Sequence, residues 1–143
     1  MTRKVVLVTG GSRGIGAAAC RLLGGDGWSV AVNYVSDAAA AAATAAEVEA
    51  AGGEAMTVQA DMGDPAAIAR MFEAVDAKWG RLDALVNNAG VVGPRGAFDR
   101  VAVDDMNHVL AVNVVGPMLC CQAALPRLLA AGGGAIVNVS SGS

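Results

Sequence analysis

Aromatic side chains are nearly absent from this chain: two Trp, two Phe and one Tyr among 143 residues. With so few aromatic platforms, recognition of nucleic acid by base stacking is not expected. Charged residues make up only 16%, and a formal net charge of −3 provides no basic stripe to neutralise a phosphate backbone. Cysteine is limited to Cys20, Cys120 and Cys121. They form no CxxC pair and lie in no His-rich or Cys-rich cluster. They therefore read as reduced core thiols of a cytoplasmic protein, and no metal site is expected. No secretory leader is expected, since Met1 leads straight into strand-like sequence. One stretch, 109–126, is long and uncharged enough to suggest a membrane span. It contains Asn113, Gly116, Pro117 and Gln122 and runs directly into Arg127, so a buried helix of a soluble fold is the expected reading and no membrane partner follows.

Apolar residues, by contrast, are plentiful at 55%. That content excludes disorder and suggests elements buried on both faces. The length is that of one ordinary domain. Apolar runs alternate with helical stretches along the chain. Strands are expected at 4–8, 30–34, 55–59, 84–87 and 135–140, and helices at 15–23, 37–51, 64–79 and 104–131. In the first helix Ile15, Ala18, Ala19, Leu22 and Leu23 share a face. The alanine-rich second helix reflects helix propensity rather than low-complexity disorder. Asp64-Pro65 reads as an N-cap with proline at the first helical position, and Ile68, Phe72, Val75 and Trp79 share a face behind it. Strands alternating with helices predict an α/β fold: one Rossmann-like domain with a doubly wound parallel sheet, ending after its fifth strand.

The segment VVLVTGGSRGIG, residues 5–16, places an apolar strand, a glycine-rich turn and a helix start in immediate succession. A dinucleotide diphosphate needs that order. The glycines let the backbone come close to the anion, and the helix presents unpaired N–H groups and the positive end of its dipole. Pro117 supports a second inference from residue chemistry alone. A proline within a helix has no N–H for the carbonyl four residues back, here that of Asn113, which is left able to hold a water. A harmless kink is the alternative.

The glycine spacing is TGxxxGxG, and on it the chain resembles the classical short-chain dehydrogenase/reductase family. Further matching segments follow in order: Asp61 just past the third strand, Asn87-Asn88-Ala89-Gly90 after the fourth, Asn113 in the long helix, and Ser141 in IVNVSS. The resemblance implies a role for each. Gly10, Ser12, Arg13, Gly14, Ile15 and Gly16 would hold the phosphates of a nicotinamide dinucleotide. Asp61, with Met62, would meet the adenine, and Asn87, Ala89 and Gly90 would line the ribose side. Asn113 would anchor a relay water through its carbonyl, and Ser141 would polarise a substrate carbonyl or hydroxyl. Each also has a plainer reading, as a turn aspartate, a strand-end cap or a polar helix residue. NAD-preferring relatives carry a carboxylate at the end of the second strand. Here that position is Tyr34, while Arg13 and Ser36 are available to a 2′-phosphate. NADP(H) is therefore the expected cofactor and NAD the alternative, with Arg13 as a merely solvated charge the competing view.

The family's Tyr-x-x-x-Lys pair, its general acid/base and the lysine that tunes it, would lie about a dozen residues beyond Ser141. The sequence stops at Ser143, and its sole tyrosine is Tyr34. The expectation is that these residues form the front part of a longer enzyme, or are completed by another polypeptide. Truncation, cleavage and a split gene remain open. The expected activity is hydride exchange between NADP(H) and a small carbonyl or alcohol substrate. Alternatives are a dinucleotide-binding module without turnover and an assembly piece. A homo-oligomer, tetramer or dimer, built through the long helix is the arrangement the resemblance implies.

Overall fold

The structure is a computed structural model and describes residues 2–142. Five strands form one sheet: β1 (Val5–Val8), β2 (Ser29–Tyr34), β3 (Glu54–Gln59), β4 (Ala84–Asn87) and β5 (Ala135–Asn138). Their spatial order is β3-β2-β1-β4-β5 and every pairing is parallel. The helices are α1 (Gly14–Gly25), α2 (Ala38–Ala50), α3 (Pro65–Trp79), α4 (Val103–Leu110) and α5 (Gly116–Ala130). This is the expected Rossmann-like, doubly wound arrangement.

Alternation along β1 shows how two layers are built. Val5 and Leu7 join Ile68, Met71, Phe72 and Val75 of α3 and Cys120, Ala124 and Leu128 of α5 on one face. Val6 and Val8 join Cys20 of α1 and Ala41 and Val48 of α2 on the other. Successive side chains of a strand point to opposite faces, so a central strand covered on both sides must be apolar throughout. Full burial of a side chain such as Phe72 or Leu7 contributes about 1.5–3 kcal/mol each. α3 opens as the sequence predicts: Pro65 is in its first turn, and Asp64 accepts from Ala66 N at 3.0 Å and Ala67 N at 3.3 Å.

Three expectations require correction. In α1 the buried residues are Gly16, Ala17, Cys20 and Gly24, whereas Ile15 and Leu22 are 68% and 73% exposed. α1 lies so close to its neighbours that only small residues fit beneath it: a Cβ on Gly24 would come within 2.9 Å of Val48. β5 ends at Asn138 rather than at residue 140, and Val139 N–H, bonded to Asn87 O at 2.9 Å, prolongs its contact with β4. The long helix is interrupted by a π-helical turn, Ala111–Val115, between α4 and α5, where Gly116 N–H reaches back five residues to Ala111 O. Pro117 has no N–H with which to keep the four-residue pattern through Asn113, and a π turn absorbs the mismatch. Nor is this helix buried all round. Its covered stripe is Val112, Gly116, Cys120, Ala124 and Leu128, four residues apart each time, while Leu110, Val114, Val115, Met118, Leu125 and Leu129 are exposed. By length and composition 103–130 is apolar enough to cross a membrane.

At the end of the sheet where the strands begin, Asp83 is 7% exposed. Its Oδ2 accepts from Val5 N–H at 2.8 Å and Arg81 Nε at 2.9 Å, and its Oδ1 accepts from Arg81 Nη2 at 2.6 Å. Burial pushes the carboxyl pKa upward, but the Arg81 hydrogen bonds, the Val5 N–H and the charges of Arg81 and Lys4 outweigh it. The net shift is below the ordinary 3.8. A folded-state pKa below the unfolded one means stabilisation that is present above the unfolded value and lost as pH falls through the folded one. Asp83→Asn is expected to lower the unfolding free energy at neutral pH by about 1–3 kcal/mol and to flatten its acid limb, as read from urea denaturation down to about pH 2.5.

Candidate functional site

The helical connections change face at β1, which leaves a crevice at the carboxyl ends of β1 and β4, where ligands of such sheets bind. The crevice is a cleft of about 280 Å³ walled by three loops. Gly10, Ser12 and Arg13 come from the turn after β1; Tyr34, Val35, Ser36 and Asp37 from the end of β2; Asn88, Ala89 and Gly90 from the segment after β4.

The turn after β1 depends on two glycines. Gly10 has φ +63°, a conformation costly for other residues. Gly16, at the start of α1, passes so close that a Cβ there would overlap Gly10 O. Arg13 occupies the N-cap of α1 without a side-chain cap hydrogen bond, and the first helical turn carries no acidic residue. Its leading N–H groups and the dipole's positive end are thus left for an external anion, and a Cβ on Gly14 would meet nothing within 4 Å. These features fit a diphosphate.

The turn is held by polar side chains from β2, from α2 and from the residues that follow β1 and β4. Thr9 Oγ1 accepts from Asn88 N–H and Ala89 N–H at 3.0 Å each and donates to Val86 O at 3.4 Å. Asn88 Nδ2 donates to Thr9 O at 3.2 Å and Gly10 O at 3.0 Å. Asn33 Oδ1 accepts from Gly10 N–H at 3.1 Å. Thr44 Oγ1, on α2, donates to Ser12 O at 3.3 Å. Sequence reasoning assigned no such role to Thr9, Asn33 or Thr44. The signal for Asn33 was available: a carboxamide inside the apolar run of β2.

Arg13 and Asp37 face each other across the outer part of the cleft, with Nη2 and Oδ2 3.7 Å apart and side chains 74% and 46% exposed. Asp37 also caps α2, accepting from Ala40 N at 2.9 Å. The sequence places it only as the first residue of the expected helix 37–51. The expected anion-binding arginine therefore has a carboxylate neighbour, a weak surface pair that an incoming phosphate would have to outcompete. Tyr34 is half-buried and Ser36 exposed in the same wall.

The remaining candidates lie outside this wall. Ile15 is exposed beside the helix start, and Gly16 is buried beneath the turn. Asp61 is exposed and accepts from Gly63 N–H at 2.8 Å. The Met62 side chain is 3% exposed and lies in the core, its sulfur 3.7 Å from Cys120 Sγ. Asn87 is 5% exposed and turns toward β5 and α5: its Nδ2 donates to Asn138 Oδ1 at 2.9 Å and Pro117 O at 3.4 Å, and its buried Oδ1 has no partner among the described residues. Asn113, in the π turn, clamps the segment after β4, accepting from Val91 N–H and donating to Val91 O at 2.8 Å each. Ser141 is exposed beyond β5, and among the described residues no hydrogen bond joins it to Asn113. Burial pushes the thiols of Cys20 and Cys120 up to about 12, which suits inert core cysteines.

The short chain dehydrogenase family model matches residues 4–143. An uncharacterized oxidoreductase of Escherichia coli, YgfF, is 44% identical over 140 residues, which are 96% of this chain and 57% of that protein. A metagenomic short-chain oxidoreductase, solved in complex with NADP, superposes with a TM-score of 0.93 at 39% identity, over 99% of this chain and 64% of its own. A short chain dehydrogenase from Burkholderia cenocepacia, also in complex with NADP, gives 0.89 at 42% identity, over 98% of this chain and 56% of its own. The chain thus spans a little over half the length of these relatives. Agreement of sequence and fold along nearly all of this chain settles its kinship: it belongs to the short-chain dehydrogenase family.

Proposed function

We propose that this chain is the dinucleotide-binding part of an NADP(H)-dependent oxidoreductase that interconverts a small carbonyl compound and its alcohol. The observation carrying this is the open N-terminus of α1, whose free N–H groups meet the Gly10–Gly16 turn at the mouth of the cleft. The diphosphate would lie against Gly10, Ser12, Arg13, Gly14, Ile15 and Gly16, the ribose end against Ala89, Gly90 and the main chain of Asn87, and the adenine end against Asp61 and the main chain of Met62. When bound, the nicotinamide supplies or accepts the hydride.

The protein's own residues do the rest. Ser141 would hold the reacting oxygen of the substrate. Asn113, fixed to Val91 through its side chain, keeps its backbone in the π turn, and its carbonyl, which Pro117 cannot bond, would hold a water for proton transfer. NADP(H) is preferred over NAD(H) in this reading. Arg13 and Ser36 offer donors to a 2′-phosphate and the end of β2 presents Tyr34 instead of a carboxylate, and two similar structures hold NADP. The exposed apolar face of α4 and α5 would be covered in a homo-oligomer, a dimer or tetramer, of a cytoplasmic protein, with no membrane or nucleic acid partner.

A binding module without turnover is the second reading. A carbonyl-reduction assay on the protein at its natural length chooses between the readings, turnover selecting the first and binding without turnover the second. Isothermal titration is expected to show binding of both nucleotides with NADP(H) the tighter, and binding of neither overturns the proposal. Arg13→Ala is expected to weaken NADP(H) roughly tenfold while NAD(H) stays within about twofold. Gly16→Ala is expected to cost about 1–3 kcal/mol in denaturant unfolding, since the new methyl must displace Gly10 or Asn88, and to abolish nucleotide binding.

A further inference from the structure

Asn33 is fully buried in the middle of an apolar sheet. A carboxamide there gives up water at two N–H groups and a carbonyl, and it is tolerated only when those groups find partners. Its partners lie in two places, the glycine turn after β1 and the end of β3 with the residue that follows it. Oδ1 accepts from Gly10 N–H at 3.1 Å, and the main-chain oxygen of Asn33 accepts from Gly11 N–H at 2.8 Å, so the residue holds the entrance of the glycine turn twice over. Nδ2 donates to Ala60 O at 3.1 Å and Val58 O at 3.3 Å, holding the end of β3 immediately before Asp61. The two places lie at the ends of β1 and β3, which do not pair with each other; β2 separates them, and Asn33 spans the gap.

We infer that Asn33 is a positioning residue that locks the diphosphate turn and the adenine loop into one preformed unit, so that a dinucleotide ordering either end orders both. The inference rests on the dinucleotide reading above. A site already set in its bound shape loses less conformational freedom on binding, which raises affinity without any contact from Asn33 to the ligand. The chemistry requires a residue that both donates and accepts. Leucine would leave Gly10 N–H and Ala60 O unpaired, and a carboxylate would accept from Gly10 but repel the carbonyls of Val58 and Ala60.

Asn33→Asp turns that requirement into a measurement. Burial against two carbonyl oxygens raises the new carboxyl's pKa. The neutral acid keeps a C=O for Gly10 and one O–H for Ala60, whereas the ionised form loses the donor. Binding competence should therefore be present at low pH and lost as pH rises through the raised pKa. Arg13, Tyr34, Asp37 and Asp61, on the surrounding elements, are common to variant and parent, so the affinity ratio at each pH isolates the substituted side chain. By calorimetry with NADP⁺, the variant is expected within about threefold of the parent near pH 5.5 and at least about tenfold weaker near pH 8.5. A ratio independent of pH overturns the inference. Because an ionised buried carboxylate also threatens folding, a measurement on the unaltered chain stands beside it. Adenosine, a probe without phosphate, is expected to slow hydrogen exchange at Gly10 and Gly11 by about threefold or more as it slows exchange at 61–63. Slowing at 61–63 alone also overturns it. If neither NADP⁺ nor NAD⁺ binds the unaltered chain, the dinucleotide reading itself fails and this inference falls with it.

Discussion

The near-contact of Gly10 with Gly16 is the constraint on which the site depends. Space for one side-chain carbon between them would push α1 off its strand and turn its N-terminus away from the cleft. The gap is closed instead by Asn88, whose amide donates to Thr9 O and Gly10 O. The Thr9 hydroxyl returns the link by accepting from the backbone of Asn88 and Ala89. The turn after β1 and the segment after β4 therefore behave as one polar joint, made of short side chains with few rotamers to lose. Free helix N–H groups attract an anion strongly only when their direction is fixed, and this joint fixes it.

The scaffold around that joint is stiff for ordinary reasons. β1 is buried on both faces, and its side chains alternate between two independent helix layers. At the far end of the sheet the buried Asp83 ties the start of β1 to Arg81. Across the α3–α5 layer, Arg127 forks onto Asp76 at 2.6 and 2.9 Å and lies 5.3 Å from the Phe72 ring centre. The π turn at Asn113 is the irregular element on that side. It stands where Gly116 packs against Met62 O so closely that a side chain there would overlap it, and where Pro117 withholds a hydrogen bond. Through Asn113 it grips Val91 in the segment after β4, with regular helix packing behind it.

Most of the architecture was legible in the residues because it is written in short-range patterns. Apolar runs of strand length, helix caps such as Asp64 and the glycine punctuation place the elements to within a few residues. The TGxxxGxG spacing places the glycine turn at the start of α1. What escaped depends on distances between elements. The choice between Ile15 and Ala17 as the buried side of α1 is set by how near the sheet lies, not by hydrophobic periodicity, and close approach favoured the smaller residue. The helix through 109–126 has the composition of a buried segment, yet only one stripe of it meets the rest of the chain. Asn33 was visible as a polar interruption of β2, but its partners at Gly10 and Ala60 lie on strands that meet it only in the folded sheet.

The sequence alone determined the order of strands and helices, the parallel doubly wound class and the position of the glycine turn, because each follows from local stereochemistry and periodicity. Only the tertiary structure decided which side chains share the cleft. It set Asp37 opposite Arg13, turned Asn87 away toward β5, sank the Met62 side chain into the core, and joined two loops through Asn33. These outcomes turn on hydrogen bonds and ångström-scale clearances between segments distant along the chain, and no local pattern of residue types encodes such distances.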